Sequence, residues 1–366
     1  MRILQIGLSK NIGGIETFVM RYFREMVKIG ICFDFVDIYG DGIAFENEIK
    51  TLGGKIYTSP NYKRHPLKAK KYIYQVMKNN DYNCVHIHML SAANLIPLYA
   101  AKKAKVISIV HSHNNNTQGI KKILHRINKY KVLKIADFRL SCGKEAGEWF
   151  YGKSAFEIIP NAIEANKFTF SEDNRRIIRE KMGLSQEDFV IGFVGRLSHQ
   201  KNPLYLVDIM KALNITARNN VKLLIVGDGD LRIKLEEYAK EAGVFNNIIF
   251  AGLQSEISMW YSAMDCLVLP SLFEGFVIVG VEAQANGLKC FMSDNVPHEI
   301  NITGGVEFLP LDHNGVIWGD RIGVFMNNMG LQSRETNKIV DTVYDISVGI
   351  KQLYNVYQEA QNIRKA

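Results

Sequence analysis

Leu267-Val268-Leu269-Pro270-Ser271-Leu272-Phe273-Glu274-Gly275-Phe276-Val277-Ile278-Val279-Gly280-Val281-Glu282 reads as a strand, a loop and a helix in direct succession. The aliphatic run Cys266–Leu269 ends at Pro270, and Gly275–Asn286 is predicted as a helix closed by Gly287. The same order recurs upstream. Phe189–Val194 is a strand ending in Gly195, and Pro203 is placed to open a helix over Pro203–Leu213. Leu223–Val226 is a strand ending in Gly227-Asp228-Gly229, with a helix from Asp230 to about Ala242, and Ile248–Phe250 is another strand. Strands that alternate with helices in this way predict an open parallel sheet.

The first half carries the same alternation. Ile3–Ile6, Phe33–Ile38, Cys84–Ile87, Val106–Val110, Phe138–Ser141 and Glu157–Ile159 are predicted strands, with a glycine turn at Gly13-Gly14 and a helix from Glu16 to Ile29. A chain of 366 residues suits two domains rather than one core. The reading is therefore two successive α/β sheets: 1–165, 166–345, and a C-terminal segment, 346–366, inside a polar helical stretch from Ser333 to Arg364 that returns towards the first domain.

Composition narrows the class. Hydrophobic residues make up 47% and charged residues 22%, which is globular and excludes a disordered or collagen-like chain. No apolar run reaches the roughly 18–20 residues that span a bilayer. Five scattered cysteines without a C-x-x-C pair predict reduced thiols and a cytoplasmic protein. The net charge of +8 is uneven: residues 1–160 hold 25 Lys and Arg against 12 Asp and Glu, and the rest is net acidic. The basic residues gather at Lys63, Arg64, Lys68, Lys70 and Lys71, and again at Lys121, Lys122, Arg126, Lys129, Lys131 and Lys134. The second group interleaves with Ile120, Ile123, Leu124, Ile127, Val132 and Leu133 at helical spacing, which suits either an anionic membrane surface or a solvated helix. No nucleic-acid-binding signature accompanies them.

Two strand ends carry the chemistry. There is no G-x-x-x-x-G-K-[ST] motif, and Gly227-Asp228-Gly229 lacks the third glycine of a dinucleotide fingerprint. After Gly195, however, Arg196 and Lys201 place two cations in one loop, enough to meet a diphosphate without a metal ion. Glu274 and Glu282 stand eight positions apart. Across a continuous helix they would lie roughly 12 Å apart, a separation matching the sugar and ribose of one nucleotide-sugar. Backbone N–H groups at Gly275, Phe276 and Val277 would be unpaired donors at that helix start, favouring phosphate. Read alone, the cations are surface charges and Glu282 an internal salt-bridge partner. In the first half, Val110-His111-Ser112-His113 puts two histidines at a strand end, a weak metal pattern. His86 and His88 flank Ile87 at another strand end and read as structural.

These motifs together resemble the retaining family 4 glycosyltransferases of GT-B fold, the group that includes many bacterial capsule and exopolysaccharide enzymes. The residues concerned are Glu274-Gly275-Phe276…Glu282, Gly195-Arg196-Leu197…Lys201-Asn202, Val226-Gly227-Asp228-Gly229, Gly13-Gly14-Ile15-Glu16 and Pro160-Asn161-Ala162-Ile163-Glu164. The resemblance implies two Rossmann-like domains facing across a cleft, with the C-terminal helix crossing back. It implies that Arg196 and Lys201 hold the donor diphosphate, Glu274 the donor sugar and Glu282 the ribose, with Gly252 and Leu253 beside the base. Gly13 and Gly14 would approach phosphate and acceptor. His111, with His113 as second choice, would orient the acceptor hydroxyl beside Asn161.

The expected reaction is transfer of a hexosyl group from a UDP-linked sugar to an acceptor hydroxyl with retained configuration, needing neither cofactor nor metal. The expected acceptor is a saccharide, free or linked to a polyprenyl diphosphate at an inner membrane face. A nucleotide-sugar epimerase of similar architecture and a non-catalytic nucleotide-sugar-binding protein are the alternatives.

Overall fold

In the computed structural model, residues 1–114, 116–216, 220–328, 334 and 337–365 are described. Met1–Ala162 and Ile346–Ala366 form one compact unit, and Ile163–Asp345 form the other.

The first unit holds β1 (Arg2–Ile6), α1 (Gly14–Met26), β2 (Cys32–Asp37), α2 (Glu46–Thr51), β3 (Ile56–Thr58), α3 (Pro66–Asn79), β4 (Cys84–Met89), α4 (Ile96–Ala104), β5 (Ile107–Ser112), α5 (Gly119–Ile135), β6 (Phe138–Ser141), α6 (Lys144–Tyr151) and β7 (Glu157–Ile158). The second holds α7 (Glu172–Lys181), β8 (Phe189–Val194), α8 (Tyr205–Thr216), β9 (Val221–Val226), α9 (Arg232–Glu241), β10 (Ile248–Gly252), α10 (Ile257–Ala263), β11 (Cys266–Leu269), α11 (Ile278–Ala285), β12 (Lys289–Ser293), β13 (Val306–Leu309) and α12 (Val316–Asn328). The last helix, α13 (Ile346–Lys365), returns to the first unit, where it packs on α1 and β4.

Both sheets are parallel, with strand orders β3-β2-β1-β4-β5-β6-β7 and β10-β9-β8-β11-β12-β13. Each is the doubly wound arrangement in which chain direction across the sheet reverses between two strands, β1 and β4 or β8 and β11. Central strands covered on both faces are buried along their whole length and are mostly apolar. Every residue of β4, β8 and β11 is buried accordingly. In the first unit one helical layer buries Phe18, Phe23, Leu353 and Tyr357 against the sheet, and the other buries Ile73, Met77, Leu98, Val132 and Phe150.

Three strands lie outside the sequence reading: β3, β12 and β13, all short, the last two carrying Lys289 and Glu307. Those two charges pair at 3.3 Å, which explains a lysine and a glutamate in adjacent strands. The helix expected over Gly275–Asn286 begins only at Ile278, so Gly275, Phe276 and Val277 form the loop before it. The helix expected to open at Pro203 starts at Tyr205, because left-handed Asn202 (φ +52°) ends a short turn over His199–Lys201 first. Of the stretch expected to be helical from Ser333 to Arg364, a helix runs from Ile346, and Ser333 itself lies outside the described residues.

Candidate functional site

Ligands of open parallel sheets bind beyond the carboxyl ends of the strands, where the strand order reverses. In the second unit this point is the end of β8 beside β11. Three glycine-bearing loops meet there. Gly195 N–H donates to Val226 O (3.0 Å), Gly227 N–H to Gly252 O (2.8 Å), and Leu197 N–H to Asp228 O (3.0 Å). The fit admits no side chain at two positions. A Cβ on Gly227 would lie 2.0 Å from Gly195 O, and one on Gly229 would lie 2.5 Å from Leu197 O. Gly227 also holds φ +136°, where residues with a Cβ are strained.

This packing positions the charges. Lys201, in the turn after β8, pairs with Glu274 of the β11–α11 loop at 2.5 Å; both side chains are largely buried. Gln200, which the sequence reading left without a role, ties the two loops together. Its side-chain amide donates to Phe273 O (3.0 Å) and to the other Glu274 oxygen (3.2 Å), and its backbone carbonyl accepts from Leu272 N–H (2.8 Å). Arg196 is exposed on the same β8 loop. Ser271 Oγ, three residues before Glu274, is buried without a hydrogen-bond partner.

Glu282, on α11, is only 4% exposed and accepts from Tyr261 Oη at 2.8 Å. A buried carboxylate demands such a donor. It is supplied by a tyrosine of α10 that no local motif marks. The helix start carries a correction. Its first residue is Ile278, and Val277 packs its side chain into the core at 1% exposure, leaving only its backbone for a ligand. Phe276 stacks on Tyr344 at 5.9 Å. Gly252 turns the chain out of β10 with φ +68°, and Leu253 beyond it is 80% exposed.

A cavity of about 640 Å³ opens at the opposite end of this sheet, beside Arg175, Asp188, Phe189 and Val221. Its charges serve the fold. Asp265 binds Arg175 and Arg179 at 2.8 Å each and accepts from Val190 N–H at 2.7 Å. The two guanidiniums also bond the carbonyls of Ser262 and Ala263 at the end of α10.

In the first unit the order reverses between β1 and β4. Gly7 leaves β1 so close to β4 that a Cβ would lie 2.5 Å from His88 O. Gly13 caps α1 and Gly14 begins it; a Cβ on Gly14 would meet nothing within 4 Å. Glu16 turns inward to accept from Ser9 N–H (2.8 Å) and Ser9 Oγ (2.9 Å), fixing the loop after β1. Asn161 Oδ1 is buried without a hydrogen-bond partner.

The register of β4 against β5 sets His88 opposite His111 and brings four histidines together. Sequence spacing did not reveal this, because each H-x-H pair stands alone in the chain. His86 Nε2 meets His111 Nδ1 at 3.2 Å, and His88 Nδ1 meets His113 Nε2 at 2.9 Å. Tyr357 Oη of α13 reaches His86 Nδ1 (2.8 Å), while Gln5 joins Tyr357 (3.3 Å) and His88 Nε2 (2.9 Å). With the Gln5 amide donating to Tyr357, the protons are assigned in sequence: Tyr357 donates to His86, which donates to His111, while His88 donates to Gln5 and accepts from His113. One chain ends on His111 Nε2, which is buried near the Ser141 and Ile159 backbone without a well-formed hydrogen bond. The other ends on the lone pair of His113 Nδ1.

Burial, with mutual repulsion second, holds His86, His88 and His111 well below the ordinary histidine range, and burial pushes His113 down to about 3. All four rings are therefore neutral at physiological pH. His86, His88 and His111 place ligand atoms within 4.8 Å of one another, a geometry open to a metal ion. Apart from His111 Nε2, their nitrogens are engaged with each other, His113, Tyr357 and Gln5, and a dication there would displace those bonds. His111 is wholly buried, whereas His113 keeps part of its surface exposed, which reverses their expected order as the ring that meets a ligand. A cavity of about 190 Å³ adjoins, with His88, Tyr39, Tyr62, Asn114 and Lys121 among its walls.

Comparison with known proteins bears on both units. The model described as Glycosyltransferase Family 4 matches residues 12–167, and that described as Glycosyl transferases group 1 matches residues 174–305. The Bacillus subtilis protein EpsF is 29% identical over 97% of this chain and 96% of its own length. The UDP-Gal:alpha-D-GlcNAc-diphosphoundecaprenol alpha-1,3-galactosyltransferase of Escherichia coli is 31% identical over 62% of each chain. Among solved structures, Anabaena HepE in complex with UDP superposes with a TM-score of 0.80 at 17% identity, covering 98% of this chain and all of that one.

Proposed function

The chain belongs to the group 1 glycosyltransferases of family 4, with the two-domain GT-B fold, and we propose that it moves a hexosyl group from a UDP-linked sugar to an acceptor hydroxyl with the anomeric configuration retained. The observation that carries this reading is the Lys201–Glu274 pair at the strand-order reversal of the second unit, with Arg196 exposed on the same loop. A donor arriving there takes Lys201 and Arg196 onto its diphosphate and leaves Glu274 to a sugar hydroxyl. As the glycosidic bond breaks, the leaving diphosphate gains charge, and the two cations stabilise it without reorganising. Glu282, steadied by Tyr261, binds the ribose. The backbone around Gly275, Phe276 and Val277 approaches the phosphates, and Gly252 and Leu253 flank the base. The E. coli relative is named for UDP-Gal, and HepE was solved with UDP and with UDP-glucose, which supports UDP as the nucleotide.

On the acceptor side, Gly13, Gly14 and Asn161 join the histidines of the first unit. His113 presents the Nδ1 lone pair. A ring held near a pKa of 3 is too weak a base to remove a proton early, so it orients the acceptor hydroxyl rather than deprotonating it. His111 supports it from within the cluster. We assign the acceptor to the diphosphate-lipid-linked saccharides, as named for the E. coli relative, and the pathway to capsular or exopolysaccharide synthesis, in line with a Vi polysaccharide biosynthesis protein of Salmonella typhi that is 33% identical over 28% of this chain. The relatives favour neither the epimerase nor the non-catalytic reading.

Calorimetry with UDP and a panel of nucleotide-sugars tests the donor. Lys201→Ala and Arg196→Ala should each lower kcat/KM about 100-fold, equivalent to about 2.7 kcal/mol, with circular dichroism unchanged. Full turnover in both variants sinks the diphosphate assignment. Because side chains supply the positive charge, activity should survive EDTA; loss restored by a divalent ion overturns that part.

A further inference from the structure

α3, α4 and α5 lie side by side in one layer of the first unit. Together they carry twelve Lys and Arg and no Asp or Glu. Helices usually place some acids near their amino ends, where the dipole favours them. None of these three does. Between α3 and α4 a groove of about 360 Å³ is walled by Lys70, Lys71, Lys103 and Tyr74, with Leu67 beside them.

α5 adds an apolar element. It is anchored through a narrow face, with His125 and Val132 buried and Trp149 stacked flat on His125 at 3.9 Å. Ile120, Ile123, Leu124, Ile127 and Tyr130 recur at steps of three and four, so they share one side of the helix. Their exposures run from 40% for Leu124 to 75% for Ile120. Lys122 and Arg126 border this stripe, and Lys131 and Lys134 extend it towards the helix end with stems long enough to reach past apolar neighbours. No helix among the described residues is long and apolar enough to cross a membrane.

We propose that this layer docks in plane on an anionic phospholipid surface, with the α5 stripe entering the headgroup–acyl boundary and the lysines of α3–α5 meeting lipid phosphates. Charge complementarity selects this occupant. A second copy would set twelve cations against twelve, and a nucleic acid would leave five aliphatic and aromatic side chains in water. Lys121 belongs both to α5 and to the wall of the 190 Å³ cavity beside His88, so a docked α5 brings that cavity to the lipid surface. The inference goes beyond the transfer reaction and stands on the first unit alone.

The test is co-sedimentation of the full chain with vesicles, either pure phosphatidylcholine or containing roughly a third phosphatidylglycerol, at low and high salt. Binding is expected only to the anionic vesicles and should fall as salt rises. Ile123→Asn/Ile127→Asn should weaken it at least tenfold, and Lys122→Glu/Arg126→Glu at least as much. Both pairs are exposed, so UDP affinity and circular dichroism should match the unaltered chain. Absence of binding at low salt overturns the proposal. So does equal binding to neutral vesicles, or full binding by the isoleucine variant. A dimer seen by light scattering and dissolved by the same variant also overturns it, assigning the stripe to a second copy. No sugar donor or acceptor enters the assay, so failure here leaves the donor assignment standing, and the reverse holds.

Discussion

The two units share a topology and use it in opposite ways. At its strand-order reversal the second unit presents opposite charges, Lys201 and Glu274, in loops locked by glycine contacts. The first unit fills the equivalent position with neutral rings bonded to one another and carries its charge outside, on α3–α5. A site for a diphosphate needs fixed cations in a rigid frame. A site that must align an uncharged hydroxyl needs a fixed lone pair and little field. Under the proposed function the same sheet, with different residues at its strand ends, supplies each.

The glycines put that contrast to its hardest test. Gly227→Ala drives a Cβ to 2.0 Å from Gly195 O at φ +136°, a backbone clash that cannot relax through a side chain. It should destabilise the second unit by about 3 kcal/mol or more and abolish UDP binding, as followed by thermal melting and calorimetry. Gly14→Ala is the counterpart. It sits in the first turn of α1 with open space around it, so stability should hold or rise by up to about 1 kcal/mol. If Gly14 lies where donor phosphate or acceptor approaches, turnover falls although the fold does not. A Gly227→Ala chain that melts unchanged would show that the glycine-locked frame is not what holds the second site.

Legibility from sequence divides along the same line. β8, β9 and β11 could be read because an aliphatic run ending in glycine or proline is a local signal; Arg196, Lys201 and Glu274 sit in the loops after β8 and β11, and Glu282 on the helix that follows. The Lys201–Glu274 contact itself was not legible, since it depends on β8 lying next to β11. Nor was the histidine cluster, whose pairs are joined only by the β4–β5 register and whose outer partner, Tyr357, arrives from the far end of the chain. Short strands such as β12 and β13, with charges paired across them, lose the apolar signature that marks a strand. The late start of α11 escaped because Gly275–Val277 is as apolar as the helix that follows.

pH separates the units next. The folded pKa values of His86, His88, His111 and His113 are depressed, so the unfolded chain takes up protons first as pH falls through its ordinary histidine range near 6.5. Stability of the first unit is therefore full above that range and drains below it, down to about pH 3 for His113. Each histidine adds up to about 1.4 kcal/mol per pH unit to the slope. Urea midpoints between pH 7 and 5 should fall, and His86→Gln/His88→Gln should flatten the dependence. A parallel slope in that variant would place the sensitive groups elsewhere.

The smallest effect falls on Glu282. Its carboxylate is held by Tyr261 on the folded side of the second site, so the glutamine variant keeps the shape and one acceptor oxygen while losing the charge. A hydrogen bond to a charged group is worth about 1.5–3 kcal/mol, and the neutral bond that replaces it about half that. Glu282→Gln should thus weaken UDP roughly tenfold, with the same loss for each UDP-sugar, because ribose is common to all of them. Glu274→Gln should instead spare UDP and weaken the sugar conjugates, because the proposed partner of Glu274 is the transferred hexose. If calorimetry finds the two variants interchangeable, the eight-residue spacing does not divide ribose from sugar, and the second unit reads its donor as an undivided anion.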